Sequence, residues 1–449
     1  MTAAVDGELI EPDSPPAGTV DGAVDGLSVD GVSIDSRSIG AGQLFVPIVA
    51  ERDGHDFIPA AVQNGAAAYL SAADRSEAVG NRPRGAATIL VRDTGTALTA
   101  IGRAARERLE VPVVGITGSV GKTSVKDLTR AACGPLAWAS AASFNNELGV
   151  PLTLANAPAD TSVAIVEMGA RGIGHIVELC AVARPTIGVV TRVALAHSEL
   201  FGSIDAVATG KGELVQALPA DGVAVLNADD DRVAAMADRT SARVLTYGVG
   251  GDVRIEGIQV DGSLRPSFTV RTDWGTAELT LGVRGSHMAL NAGAALAAAL
   301  AAGVGFDDAV TGVQSATLSR WRMEINTGQD GLLVINDAYN ANPTSVRAAL
   351  DGLRAVDATV RVAVLGAMAE LGDEGPEEHV AIATEAARDG IRVVAVDAPA
   401  YGGDADHVSG RDEAFAALAE LNGAGTAVLV KGSRVAGLEH LADQLLQRG

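Results

Sequence analysis

Residues 111–132 read VPVVGITGSVGKTSVKDLTRAA. A β-branched run of this kind suits a strand buried on both faces, and it passes through glycines straight into a pattern of helical period. The segment TGSVGKTS, residues 117–124, sits at that strand-to-helix turn. Glycines there let backbone N–H groups approach phosphate oxygens, Lys122 offers a point charge to the terminal phosphates, and the Thr123 hydroxyl suits magnesium. Gly118, Ser119, Gly121, Lys122, Thr123 and Ser124 are therefore candidate nucleotide contacts, with Lys122 the candidate catalytic cation. The spacing is shorter than the usual phosphate-binding pattern, because Ile116 stands where the first glycine is expected and Gly115 and Gly118 lie to either side.

Downstream, SVAIVEMGA (162–170), TIGVVTRV (186–193) and GVAVLNADD (222–230) are strand-like and separated by helical stretches. That alternation predicts βαβ units, a mostly parallel sheet and right-handed crossovers. Between Arg254 and Val283 the alternating runs predict antiparallel hairpins, followed by an Ala-rich helix from about His287. LLVIND, RVAVLG, RVVAV and TAVLVKG then mark a second doubly wound pattern from about Arg320. Upstream, LFVPIV, AAAYLSA and ATILVR suggest a small α/β domain from Leu27 to about Leu109. The expected fold is thus α/β in three domains. A small N-terminal domain spans 27–109, a central P-loop-type domain with a mostly parallel sheet spans 110–319, and a Rossmann-like doubly wound domain spans 320–449. Residues 1–26, rich in Gly, Asp and Pro, read as a poorly ordered arm.

Hydrophobic residues make up 47% of the chain and aromatics only 3%, so Ala, Val, Leu and Ile must build the cores. A formal charge of -22 repels nucleic acid and anionic membranes at long range, which argues against both as partners. An anionic ligand must then be held by local groups. Cys133 and Cys180 are the only cysteines and form no CxxC, so neither a disulfide framework nor a zinc site is expected. The acidic start MTAAVDGELIEPDSPP lacks the positive region of an export signal, and the longest apolar stretch, 290–305, is too short and Ala-rich to span a bilayer. A cytoplasmic chain without membrane insertion is the expectation.

Open α/β sheets bind ligands at the carboxyl ends of their strands. Glu167 ends one strand-like run, and His197 and Glu199 follow another, so a carboxylate and an imidazole beside the P-loop become candidate metal groups. By residue type alone, His197 also reads as a structural histidine and Lys211, in KGEL, as a solvated surface lysine. Asn340, Asn342 and Pro343 also suit a simple turn, and TAVLVKGSR a strand and loop.

TGSVGKTS, SFNNELGVPLTL, VEMGARGIGHI, AHSELFGS, KGEL, RWRMEI, INDAYNANPTS and VLVKGSR occur in this order, and from about Val32 onward the chain closely resembles the Mur ligases. SFNNELGVPLTL, EMGARG and DAYNANP are similar to the branch that adds D-alanyl-D-alanine to UDP-N-acetylmuramoyl-tripeptide. The resemblance implies an ATP-dependent amide-bond ligase of cytoplasmic peptidoglycan precursor synthesis, working through an acyl phosphate. Its three domains would bind the UDP-substrate, ATP and the amine substrate, and a monomer is expected. Ser36 and Arg37 match the uridine-binding segment, while Asn145, Asn146 and Arg171 match positions near the muramoyl-peptide. Thr123, Glu167 and His197 match magnesium positions, and Lys211 matches a carbamylated lysine. On the nucleotide, Asn291 matches an adenine contact, and Arg322 and Asp337 match phosphate and ribose contacts. Asn340, Lys431, Ser433 and Arg434 fall to the amine substrate. Lys122, Lys211, His197 and Glu167 form the implied catalytic set.

Some positions depart from the family pattern. Met288 stands in place of the first Asn of the adenine segment, Arg192 where Asn is usual, Ala194 and Leu195 in place of Gly-Pro, and Ala367 in place of Asp. Other readings stay open. One is a sister ligase, adding a diamino acid or folylpolyglutamate-like, against which SFNNELG and DAYNANP count; the departures at Met288, Arg192 and Ala367 suggest another, a catalytically silent Mur-like nucleotide-binding protein.

Overall fold

The computed structural model describes residues 2–10, 28–74, 83, 85–141, 143–194, 201–369 and 371–448. They fall into two compact units, one holding residues 1–113, 138–168 and 178–184 and the other 114–137, 169–177 and 185–449.

In the first unit, five short strands form a sheet in the spatial order Glu8–Ile10, Ala87–Val91, Ala68–Ala72, Leu44–Phe45, Val32–Ser33. The first pair is antiparallel and the rest parallel. Their alternate residues Leu44, Leu70 and Ile89 pack with Leu98, Ile101 and Leu152. The helix Thr94–Arg108 is capped by Asp93, whose carboxylate accepts from Thr96 N at 2.6 Å. It meets the helix Gly149–Ala155 at Gly102, where a Cβ would lie 2.6 Å from the Pro151 Cα. The N-terminal arm expected at 1–26 is a correction in part. Thr2–Val5 is a helical turn and Glu8–Ile10 an edge strand on Ala87–Val91. Three residues are too few for a periodicity to register, and the partner strand's backbone supplies the order instead.

The second unit carries two sheets. Seven strands run in the order Gly275–Thr280, Pro266–Thr272, Val253–Val260, Arg243–Gly248, Val223–Asn227, Ile187–Val190, Val113–Thr117. Those from Val253–Val260 onward pair parallel, and the first three form the expected antiparallel hairpins. Behind them lies the helix Met288–Ala301, whose many alanines let it pack closely on Lys122–Ala132.

The second sheet has the order Glu324–Thr327, Leu333–Asn336, Thr426–Lys431, Val360–Gly366, Arg392–Val396, Ala405–Val408, parallel except at its first pair. Ala363 and Leu365 face one core and Val362 and Val364 another, so both faces are covered and the doubly wound class holds. Among the described residues no helix is long and apolar enough to cross a membrane.

Candidate active site

The phosphate-binding turn is built by close approach. Gly118 has φ +145°, and a Cβ there would lie 1.9 Å from Thr191 Oγ1. Gly121 has φ +85°, and its Cβ would lie 2.9 Å from Asn291 Oδ1. Both positions therefore require glycine. The turn is pinned to the neighbouring strand end, since Ser119 N donates to Arg192 O at 2.7 Å and Thr191 Oγ1 donates to Val120 O at 2.6 Å. Ser119 Oγ donates to Ala194 O and accepts from Ala194 N. Arg192 and Ala194 thus serve the turn through their backbones, which explains why side-chain departures there leave its shape intact.

Lys122 opens the helix Lys122–Ala132 directly after Gly121, so the phosphate-binding turn sits at a helix N-terminus. Its ammonium donates to Gly118 O at 2.7 Å. Asn291 Nδ2 lies 3.5 Å from Met288 Sδ, so the departure at Met288 touches the predicted adenine contact directly.

Arg322 comes to this turn from the RWRMEI segment. Its flanking residues, Trp321 and Met323, both have left-handed backbone, with φ of +62° and +52°. Trp321 N donates to Glu324 Oε1 at 2.9 Å and Met323 N to Asp337 Oδ1 at 3.1 Å, which holds the unusual backbone in place. Arg322 Nη2 then donates to Thr123 Oγ1 at 3.0 Å, and its guanidinium lies 4.1 Å from the Tyr339 ring centroid.

Asp337 and Lys431 engage each other at 2.5 Å. Lys431 Nζ also donates to Asn340 O at 2.9 Å, and burial pulls its pKa below the ordinary lysine value against the opposing pull of Asp337. These two candidates for ribose and acceptor contacts therefore clamp the DAYNANP loop in this structure. Asn340 Oδ1 accepts from Ala341 N, and Asn342 and Ser345 form a capping box with Pro343 in the first turn of the helix Pro343–Ala355. This Asn-Pro pair starts a helix and does not close a bare turn. Ser433 Oγ accepts from Ala369 N at 2.8 Å. Arg434 pairs with Glu439 and lies 4.6 Å from the Trp321 ring centroid.

Lys211 lies on the helix Ile204–Gln216 and is only 1% exposed, 5.9 Å from the Phe201 ring centroid. The solvated-lysine alternative fails. Glu213, which the sequence alone did not single out, is also buried and accepts from Gly174 N at 2.5 Å and Val177 N at 3.3 Å. Its only sequence signal is a carboxylate on the same short segment as Lys211. Arg171 is exposed, and its N–H donates to His175 Nδ1 at 3.3 Å.

Ser36, Arg37, Asn145, Asn146 and Glu167 sit in the first unit. Glu167 is buried at its strand end and accepts from Asn145 Nδ2 at 2.8 Å. Asn146 Oδ1 accepts from Gly149 N at 3.0 Å, at the start of a helix. Ser36 is buried, and its carbonyl accepts from Asn64 Nδ2. The exposed Arg37 grips Asp35 with two nitrogens at 2.9 and 2.8 Å and holds that carboxyl down to about 2. His197 and Glu199 lie outside the described residues.

Comparisons with known proteins cover most of the chain. Residues 28–111 match the Mur ligase family, catalytic domain; 116–299 the Mur ligase middle domain; and 321–434 the Mur ligase, glutamate ligase domain. The UDP-N-acetylmuramoyl-tripeptide--D-alanyl-D-alanine ligase of Mycobacterium tuberculosis is 40% identical over 92% of this chain and 91% of its own. A crystal structure of MurF from Acinetobacter baumannii superposes with a TM-score of 0.85 at 28% identity, covering 99% of this chain and 97% of that one. MurF from Thermotoga maritima in complex with ADP gives 0.77 at 25% identity, covering 93% and 97%. With these matches spanning its phosphate-binding turn and both of its doubly wound sheets, the chain belongs to the Mur ligase family.

Proposed function

We propose that this chain is the ATP-dependent ligase that joins D-alanyl-D-alanine to UDP-N-acetylmuramoyl-tripeptide, acting as a monomer in cytoplasmic peptidoglycan precursor synthesis. The observation that carries this is the likeness to ligases of that name over 92% of the chain. Residues 27–109 are taken as the UDP-substrate domain, 110–319 as the ATP domain and 320–449 as the amine-substrate domain.

The site fits ATP. Two glycines that admit no side chain, a helix N-terminus and Lys122 form a phosphate cradle, and Arg322 adds a second cation beside Thr123. The tripeptide carboxylate attacks the γ-phosphorus, the bond from phosphorus to the β–γ bridging oxygen breaks, and ADP leaves. Lys122 and Arg322 offset the charge that develops on the phosphoryl oxygens. The free amine of the dipeptide then adds to the acyl-phosphate carbonyl and gives up a proton, and the tetrahedral intermediate expels phosphate to leave the amide.

Thr123 and a carbamylated Lys211 are this unit's candidates to hold magnesium, which when bound supplies charge neutralisation at the phosphates. Glu167 and His197 keep the metal roles that the resemblance gives them. Lys211 is buried, and carbamylation would turn its amine into a carboxylate-like group able to bind magnesium.

The test is phosphate and amide formation from ATP and magnesium with the UDP-tripeptide, with and without D-alanyl-D-alanine. Products requiring both substrates, and loss in Lys211→Ala that acetate or formate partly restores, would support the ligase and the carbamate. ATP turnover indifferent to both substrates would sink the assignment.

A further inference from the structure

A buried carboxylate must be satisfied, and one segment supplies two backbone donors to Glu213. Oε1 accepts from Gly174 N at 2.5 Å and Oε2 from Val177 N at 3.3 Å. These donors bracket the start of the helix His175–Ala183, where N–H groups lack helical partners and a negative charge is favoured. The cap thus comes from another helix, 36 residues or more along the chain.

That other helix carries Lys211, two residues before Glu213. The segment 171–177 therefore rests on the lysine-bearing helix through the Glu213 carboxylate. Arg171 itself reaches out, exposed, from this anchored base.

We infer that Glu213 is a positioning residue that sets the Arg171 segment in register with Lys211, so that the muramoyl-peptide is held where the buried lysine works. The inference rests on the ligase reading above, which gives Arg171 its place near that substrate. Glu213 touches no reacting atom. It acts through the backbone it holds.

The experiment compares wild type, Glu213→Gln and Glu213→Ala as full chains. Amide hydrogen exchange over 171–177, without substrate, reads the hold directly. Steady-state assays read KM for the UDP-tripeptide, ATP and D-alanyl-D-alanine separately. Glu213→Ala should speed exchange at Gly174 and Val177 and raise the UDP-tripeptide KM about tenfold, leaving the ATP KM within about twofold, as expected for loss of charge-assisted hydrogen bonds that serve one substrate. Glu213→Gln, which keeps an oxygen acceptor, should fall between and serves if the alanine variant does not fold. Faster exchange with an unchanged KM, or KM values for all three substrates rising together, would make Glu213 merely structural and overturn the inference; so would unchanged exchange. Should the wild type not ligate the tripeptide, the ligase reading fails in that assay and takes this inference with it, while exchange still reports the Glu213 contact by itself.

Discussion

Arg322 is held where two left-handed residues put it. Backbone of that kind costs about 1–3 kcal/mol per non-glycine residue, and here the cost is offset by the hydrogen bonds of Trp321 N and Met323 N to carboxylates. Strain spent on one guanidinium beside Thr123 is consistent with a phosphate role. Arg322→Ala should lower kcat/KM for ATP by roughly 10²–10³, the scale of losing one oriented transition-state donor. An effect below tenfold would make the Thr123 contact incidental. Cys133 gives a pH-dependent check on the same helix: burial pushes its thiol up from 9.0 to about 12, so at pH 8 the folded state holds about a thousandfold less thiolate than the unfolded chain. In a Cys180→Ser background, iodoacetamide should label the native protein that much more slowly than the urea-unfolded one. At this scale the P-loop was legible, because its chemistry is local to eight residues. Glu213 was not, because its partners lie far along the chain and a lone acidic residue on a helix carries no signal of burial.

At the scale of elements, strands buried on both faces were legible as apolar runs, and Val163–Glu167, Arg392–Val396 and Thr426–Lys431 fall where those runs lie. The strands that escaped are edges or half-exposed. Glu324–Thr327 and Ala405–Val408 have no fully buried residue, so nothing in their composition separates them from loop. DAYNANP illustrates the opposite case, in which local chemistry and family motif coincide. Its Asn342 caps the helix Pro343–Ala355 while Lys431 binds the same loop at Asp337 and Asn340. Asn342→Ala should cost about 1 kcal/mol through the lost cap, measured by urea unfolding. A cost several times larger would mean that the cap and the Lys431 clamp fail together, which Lys431→Met combined with Asn342→Ala would reveal as non-additivity.

At the scale of the whole molecule, one leucine ties the hairpins to the second doubly wound sheet within the second unit. Leu264, at the turn between Val253–Val260 and Pro266–Thr272, is fully buried in the core made by Met323, Ile335, Leu350 and Leu353. Gly352 makes room for the cluster, since a Cβ there would lie 3.3 Å from Leu264 and 2.7 Å from the Met323 Cε. The turn is locked by Asp261, which accepts from Ser263 N and Arg265 N at 2.9 Å each, and by Gly285 N on Leu264 O at 2.8 Å. From sequence the segment DGSLRP is only a turn, and no periodicity marks a single leucine as a plug. Leu264 also sits at φ +61°, where a side chain is strained. Leu264→Ala should therefore lose about 2–5 kcal/mol of stability, as buried leucines do. Leu264→Gly removes one atom more yet relieves the left-handed strain, so it should unfold about 1 kcal/mol later than the alanine variant. Urea unfolding of the pair separates the two contributions. Equal stabilities would mean that the turn relaxes once the side chain is gone. Losses under about 1 kcal/mol in both variants would mean that the second sheet is held to the hairpins by something other than this residue.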